Sequence, residues 1–151
     1  MASMYAVDFN FIKNINPVQI NIKGQYNISN INKQTYSSPD SSLPKYSFEN
    51  NASSYFAQLS LRPSKSKNKI LRNFELAGRY VNYTTPKQSL WGQNYSEMDI
   101  CLDYWLSWRT VIKLGYESTK SDGTTSQSVS TGLDGTSTTV NRMIIQFSTE
   151  F

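Results

Sequence analysis

Apolar and polar residues alternate in seven separate stretches of this chain, and the period of two is that of a β-strand with unlike faces. In 5–13, Tyr5, Val7, Phe9 and Phe11 oppose Ala6, Asp8, Asn10 and Ile12. In 18–28, Val18, Ile20, Ile22, Gly24, Tyr26 and Ile28 oppose Gln19, Asn21, Lys23, Gln25 and Asn27. In 54–62, Tyr55, Ala57, Leu59 and Leu61 oppose Ser54, Phe56, Gln58, Ser60 and Arg62. In 73–83, Phe74, Leu76, Gly78 and Tyr80 oppose Glu75, Ala77, Arg79 and Val81. In 97–106, Met98, Ile100, Leu102, Tyr104 and Leu106 oppose Glu97, Asp99, Cys101, Asp103 and Trp105. In 109–118, Ile112, Leu114 and Tyr116 oppose Arg109, Val111, Lys113, Gly115 and Glu117. The last stretch, 141–151, sets Met143, Ile145, Phe147, Thr149 and Phe151 against Arg142, Ile144, Gln146, Ser148 and Glu150. No segment has a helical period, so the pattern predicts an all-β fold: an antiparallel up-and-down meander of about seven strands.

The connections alternate in length. An Asn/Pro turn (14–17), a basic link (63–69) and a tight corner (107–108) contrast with long Ser/Thr/Asn/Gly-rich stretches at 29–52, 84–96 and 119–139. Loops sorted by length to opposite ends of a sheet are a mark of outer-membrane barrels, whose strands of about 9–11 residues cross the bilayer at a tilt. The expectation is a transmembrane β-barrel segment.

Composition is compatible with that reading. The chain has 151 residues and is 38% hydrophobic, and its mean hydropathy of −0.52 is what alternating strands average to. No apolar run is long enough for a spanning helix. Net charge is +4, but the basic residues cluster only in RPSKSKNKILR (62–72), which reads as a solvated turn, so nucleic acid is not an expected partner. The chain has no His and one Cys, Cys101. Histidine-dependent catalysis, an internal disulfide and a Cys/His metal site are therefore excluded, and neither an enzyme nor a cofactor or metal is expected. Asp122-Gly123 and Asp134-Gly135 read as turns, because they lack the ligand spacing of a calcium loop. No leader peptide is visible in MASMYAVDFN.

The stretch NFELAGRYVNYTTPKQSLWGQNYSEMDICLDYWLSWRTVIKLGYE, followed by RMIIQFSTEF, resembles the closing strands of porin-like outer-membrane proteins, notably the phosphate-selective-porin-like group and its relatives in Bacteroidota. The likeness covers roughly 70–151. It implies a C-terminal portion of a larger barrel in the outer membrane of a Gram-negative bacterium, with 1–151 forming one barrel segment. The implied role is passive passage of small hydrophilic solutes or ions. Outer-membrane lipid and the barrel assembly machinery would be its partners, and a homo-oligomer is compatible with it. Met143, Ile145, Phe147 and the terminal Phe151 resemble the signal that this machinery reads; Thr149 departs from the pattern. Phosphate specificity is not carried over, because the acidic residues of the fifth stretch argue against simple anion selectivity.

The candidate lumen-lining residues are Lys23, Arg62, Glu75, Arg79, Glu97, Asp99, Asp103, Lys113, Glu117 and Arg142, all on the polar parity of their strands. They read either as a charged wall that biases solute passage or as ion pairs that cross-link neighbouring strands. Tyr5, Tyr26, Tyr55, Tyr80, Tyr104, Trp108 and Tyr116 are candidates for interfacial girdles. Two further functions stay open: a non-conducting surface barrel whose loops bind a ligand, and a soluble β-sandwich binding module. Seven strands place the first and last in the same direction, so the sheet is expected to be curved but incompletely closed, or closed with a strained seam, with no eighth strand from 29–52.

Overall fold

In the computed structural model, which describes residues 2–37, 45–86, 93–123 and 137–149, the alternating stretches become seven strands. These are β1 (Ala2–Ile15), β2 (Val18–Tyr36), β3 (Tyr46–Arg62), β4 (Phe74–Thr84), β5 (Gln93–Trp105), β6 (Thr110–Gly123) and β7 (Ser137–Thr149). They form one sheet in sequence order, and every neighbouring pair is antiparallel. Among the described residues β1 and β7 do not pair, so the sheet is open, and those of 29–52 add no eighth strand. A single 3₁₀ turn, Leu71–Asn73, precedes β4, its chain held by Asn68, whose side-chain oxygen accepts from the Ile70 and Leu71 amides.

The register aligns like with like. One row of directly opposed residues runs Lys13, Ile20, Leu61, Leu76, Leu102, Leu114, Ile145 across all seven strands. On the opposite face lies the row Asn10, Lys23, Gln58, Arg79, Asp99, Glu117, Arg142. A slip of one residue would exchange the faces, so the two-residue period fixes the pairing.

The connections differ from expectation. The stretch 29–52 is largely strand: β2 runs on to Tyr36 and β3 starts at Tyr46. Beyond the last β1 partner (Ile31) and the last β4 partner (Ser53), β2 and β3 continue as a two-stranded ribbon, with a register shift between Ile31 and Gln34. Its backbone ladder needs no apolar face, so a segment polar on both sides carries no alternation to read. Tyr36 stacks on Phe48 there, ring centroids 4.6 Å apart. β5, β6 and β7 likewise extend into the polar stretches, to Gln93, Gly123 and Ser137. The β3–β4 connection, 63–73, is longer than the expected link, so the sorting of loops by length is weaker than the sequence implied. The turns at Asn16–Pro17 and 106–109 remain short; in the second, the Leu106 and Ser107 amides donate to the Thr110 carbonyl.

Burial is inverted relative to a water-soluble sheet. Among the described residues the buried hydrophobics are only Phe48 and Val111, while Ser60, Thr85, Asp103 and Thr119 are buried polar groups. On β5 the contrast falls between adjacent positions: Asp103 is 5% exposed, Leu102 41% and Ile100 43%. The apolar rows form a continuous exposed face, far beyond the isolated apolar residues that any protein surface carries. The polar rows face a trough of about 410 Å³.

Candidate functional site

The ten candidate lumen residues occupy one face because each sits on the polar parity of its strand, and the register then decides which of them meet. Arg79 on β4 lies directly opposite Asp99 on β5. Its Nε donates to Asp99 Oδ2 at 2.9 Å, and an Nη lies 2.8 Å from the same oxygen and 3.2 Å from Glu97 Oε1. Glu117 on β6 is the next member of the row and meets Arg142 of β7 at 3.3 Å. Four residues (two rows) toward the short-turn end, Asp103 faces Lys113 at 3.5 Å. The outcome is a chain of ion pairs running from β4 to β7, in which carboxylates of β5 and β6 are held by bases from their neighbours.

Hydroxyl and thiol groups complete this lattice. Tyr95 donates its hydroxyl to Glu97, and Thr119 donates to Glu117 at 3.1 Å. Cys101, between the two aspartates on its strand, donates its thiol to Asp103 at 2.9 Å. Of the three remaining candidates, Arg62 and Glu75 belong to a cluster at the short-turn end. The Trp105 indole N–H donates to Glu75 at 3.1 Å, while the Arg62 guanidinium lies 5.1 Å from the centre of the Trp105 ring and donates to the Arg72 carbonyl at 3.3 Å. Lys23 lies with Arg79 and Glu97 around a smaller recess beside the trough.

Trp105 is the contributor that sequence reasoning passed over. Its parity gave its face, but its partners come from β3 and β4 and depend on register. Apolar side chains also share the polar face, among them Phe56, Val81 and Ile144, so the wall is mixed in character.

One oxygen from each of Glu97, Asp99 and Glu117 lies within 4.8 Å of the others, the spacing at which carboxylates can share a cation. Arg79 already pairs with Glu97 and Asp99, and Arg142 with Glu117. Chemically the face offers paired charges, hydroxyls and amides to water and to polar solutes.

The residues expected to form the assembly signal divide. Met143, Ile145 and Phe147 lie on the apolar face of β7, exposed by 77%, 80% and 63%; Phe151 lies outside the described residues. Of the girdle candidates, Tyr5, Tyr26, Tyr55, Tyr80, Tyr104 and Tyr116 share that apolar face, and Trp108 is exposed in the β5–β6 turn with Arg109 against its ring. The chain matches no protein-family model, no curated protein and no solved structure.

Proposed function

We propose that this sheet is a section of a porin-like β-barrel wall in a bacterial outer membrane, serving passive passage of small hydrophilic solutes or ions along its polar face. The observation that carries the reading is the inversion of burial: the carboxylates of β5 and β6 and hydroxyls such as Ser60 and Thr119 are sheltered while the aliphatic and aromatic rows stand exposed. In water that arrangement wastes the hydrophobic effect, which is worth roughly 25 cal/mol per Å² of apolar area removed from solvent. Against hydrocarbon it costs nothing. A soluble sandwich would lay a second sheet over the apolar face, and among the described residues no such layer is present.

The open edges bear on the larger assembly. β1 and β7 each leave a row of backbone groups without strand partners, and in hydrocarbon each unmet group costs several kcal/mol. With seven antiparallel strands β1 and β7 run the same way, so antiparallel closure takes an odd number of further strands. A second copy in the same membrane orientation would meet β7 in parallel. The closing strands therefore belong to a larger barrel of which this chain forms a part, with outer-membrane lipid and the assembly machinery as partners.

Passage itself is tested by liposome swelling with the barrel isolated from outer membranes. The expected result is swelling in small sugars that slows as the sugar grows. Stable insertion with no swelling in any solute would refute conduction and leave a surface barrel. That second reading draws on the β2–β3 ribbon, which projects past both neighbours at the end away from the short turns.

A further inference from the structure

The apolar band does not run straight along the rows of paired residues; it slopes. Followed toward the end bearing 37–45, 85–92 and 124–136, the last apolar residue of the exposed face is Tyr5 on β1, Ile28 on β2, Tyr55 on β3, Tyr80 on β4, Met98 on β5, Tyr116 on β6 and Met143 on β7. The next residue on that face is Ser3, Asn30, Ser53, Asn82, Ser96, Ser118 and Asn141 in turn. Placed on the register, Tyr5 and Ile28 share one row, Tyr55 lies one row lower, Tyr80 and Met98 two rows lower, and Tyr116 and Met143 three rows lower. A row is two residues, so the boundary falls six residues over six strand steps, one residue per strand. With ~3.4 Å per residue along a strand and ~4.8 Å between strands, the boundary makes an angle of about 35° with the rows. A water-soluble sheet gives its apolar face no reason to drift in this way.

A charge supports the slope independently. Lys13 is exposed on the apolar face in the same row as Leu76, Leu102, Leu114 and Ile145. A slab parallel to the rows would put its ammonium among the leucines. A slab parallel to the sloping boundary puts it four rows from Tyr5, or ~22 Å below that level at a 35° tilt, near the far edge of an apolar band ~25 Å tall. There it meets headgroup phosphates instead of hydrocarbon. Within the band so drawn the exposed face carries no charged side chain.

We infer that a lipid bilayer meets this sheet along that slope, with the strands tilted about 35° from the membrane normal. Tyr5, Tyr55, Tyr80 and Tyr116 lie at one interface, and Lys13 lies at the other. The inference rests on the reading of the sheet as a barrel wall and gives that wall its orientation. The tilt falls at the lower end of the 35–45° that closed membrane barrels require, and Tyr rings on one level suit the boundary where an amphipathic side chain has one wet end. It also sets the register of the strands that close the barrel: the one beside β7 carries its boundary about one residue lower, and the one beside β1 about one residue higher.

Depth measurement with single spin labels tests this, in Cys101→Ser protein in phosphatidylcholine vesicles. Phe9 and Asn141 occupy one row. The slope separates them by ~17 Å at ~2.8 Å of depth per strand. A label at Phe9 should report hydrocarbon and one at Asn141 the aqueous side, while labels at Tyr5 and Met143 report one depth. Ala57 and Ser118, row-mates three strands apart, repeat the comparison at ~8 Å should an edge-strand label disturb folding. Equal depth for row-mates within lipid would overturn the tilt and leave the membrane reading standing. Aqueous exposure of all six sites would overturn the membrane reading and the tilt with it.

Discussion

Leu102→Arg separates a lipid-facing sheet from a water-facing one more sharply than any change on the polar side. Leu102 lies on the exposed face of β5 between Leu76 and Leu114, within the apolar run Met98–Tyr104, and is 41% exposed. Were that exposure to water, arginine would be at home there and stability would move by no more than about 0.5 kcal/mol. Facing hydrocarbon near mid-height, the guanidinium costs about 2–4 kcal/mol. At 1.36 kcal/mol per factor of ten, that is roughly 30- to 900-fold in the folding equilibrium. The control is Gln25→Arg, which places the same side chain on the polar face opposite Asp8. Urea titration of vesicle-inserted protein, read by protease protection, should show Leu102→Arg shifted well below wild type and Gln25→Arg close to it. Equal tolerance of the two changes would refute the assignment of faces. The same reasoning ranks Ile100→Arg as much more damaging than Asp99→Arg.

Further outcomes follow from the charged lattice and the chain end. Arg79→Met removes the base shared by Glu97 and Asp99, so reversal potentials across planar bilayers should move toward cation preference; an unchanged potential would show that this row does not border the conducting path. Lys113→Met leaves the buried Asp103 without its ion-pair partner, with the Cys101 thiol still donating to it, and should cost about 1–3 kcal/mol in the same titration, a loss that Asp103→Asn reduces. Deleting Phe151 should lower the amount inserted in the outer membrane and leave material in the periplasm, as measured by fractionation; unchanged insertion would remove its role as an assembly signal.

Where the two faces of a strand differ in polarity, the sequence was readable. On β4, β5 and β6 the faces follow from parity alone, so Glu75, Arg79, Glu97, Asp99, Asp103, Lys113 and Glu117 were grouped before any pairing was known. Parity is silent on partners. That Arg79 meets Asp99, or that Trp105 meets Glu75, depends on the register of β4 on β5; the sequence reads the connection between them as 84–96, whereas β4 runs to Thr84 and β5 starts at Gln93, so it gives no guide. The β2–β3 ribbon was missed for the opposite reason: polar on both sides, Ser29–Tyr36 carries no contrast to betray a strand. The slope of the apolar band needed both kinds of information, parity from the sequence and level from the register.

The central claim, that the exposed apolar face meets lipid and the sheltered polar face meets water, is tested most directly by a nitroxide scan of β5 in bilayers. Labels are placed singly at each position from Glu97 to Tyr104, and collision rates are measured with oxygen, which concentrates in hydrocarbon, and with a water-soluble nickel chelate. The account predicts a two-residue alternation: oxygen access high at Met98, Ile100, Leu102 and Tyr104, and nickel access high at Glu97, Asp99, Cys101 and Asp103. Nickel access high at both sets, or no alternation along the strand, would contradict it.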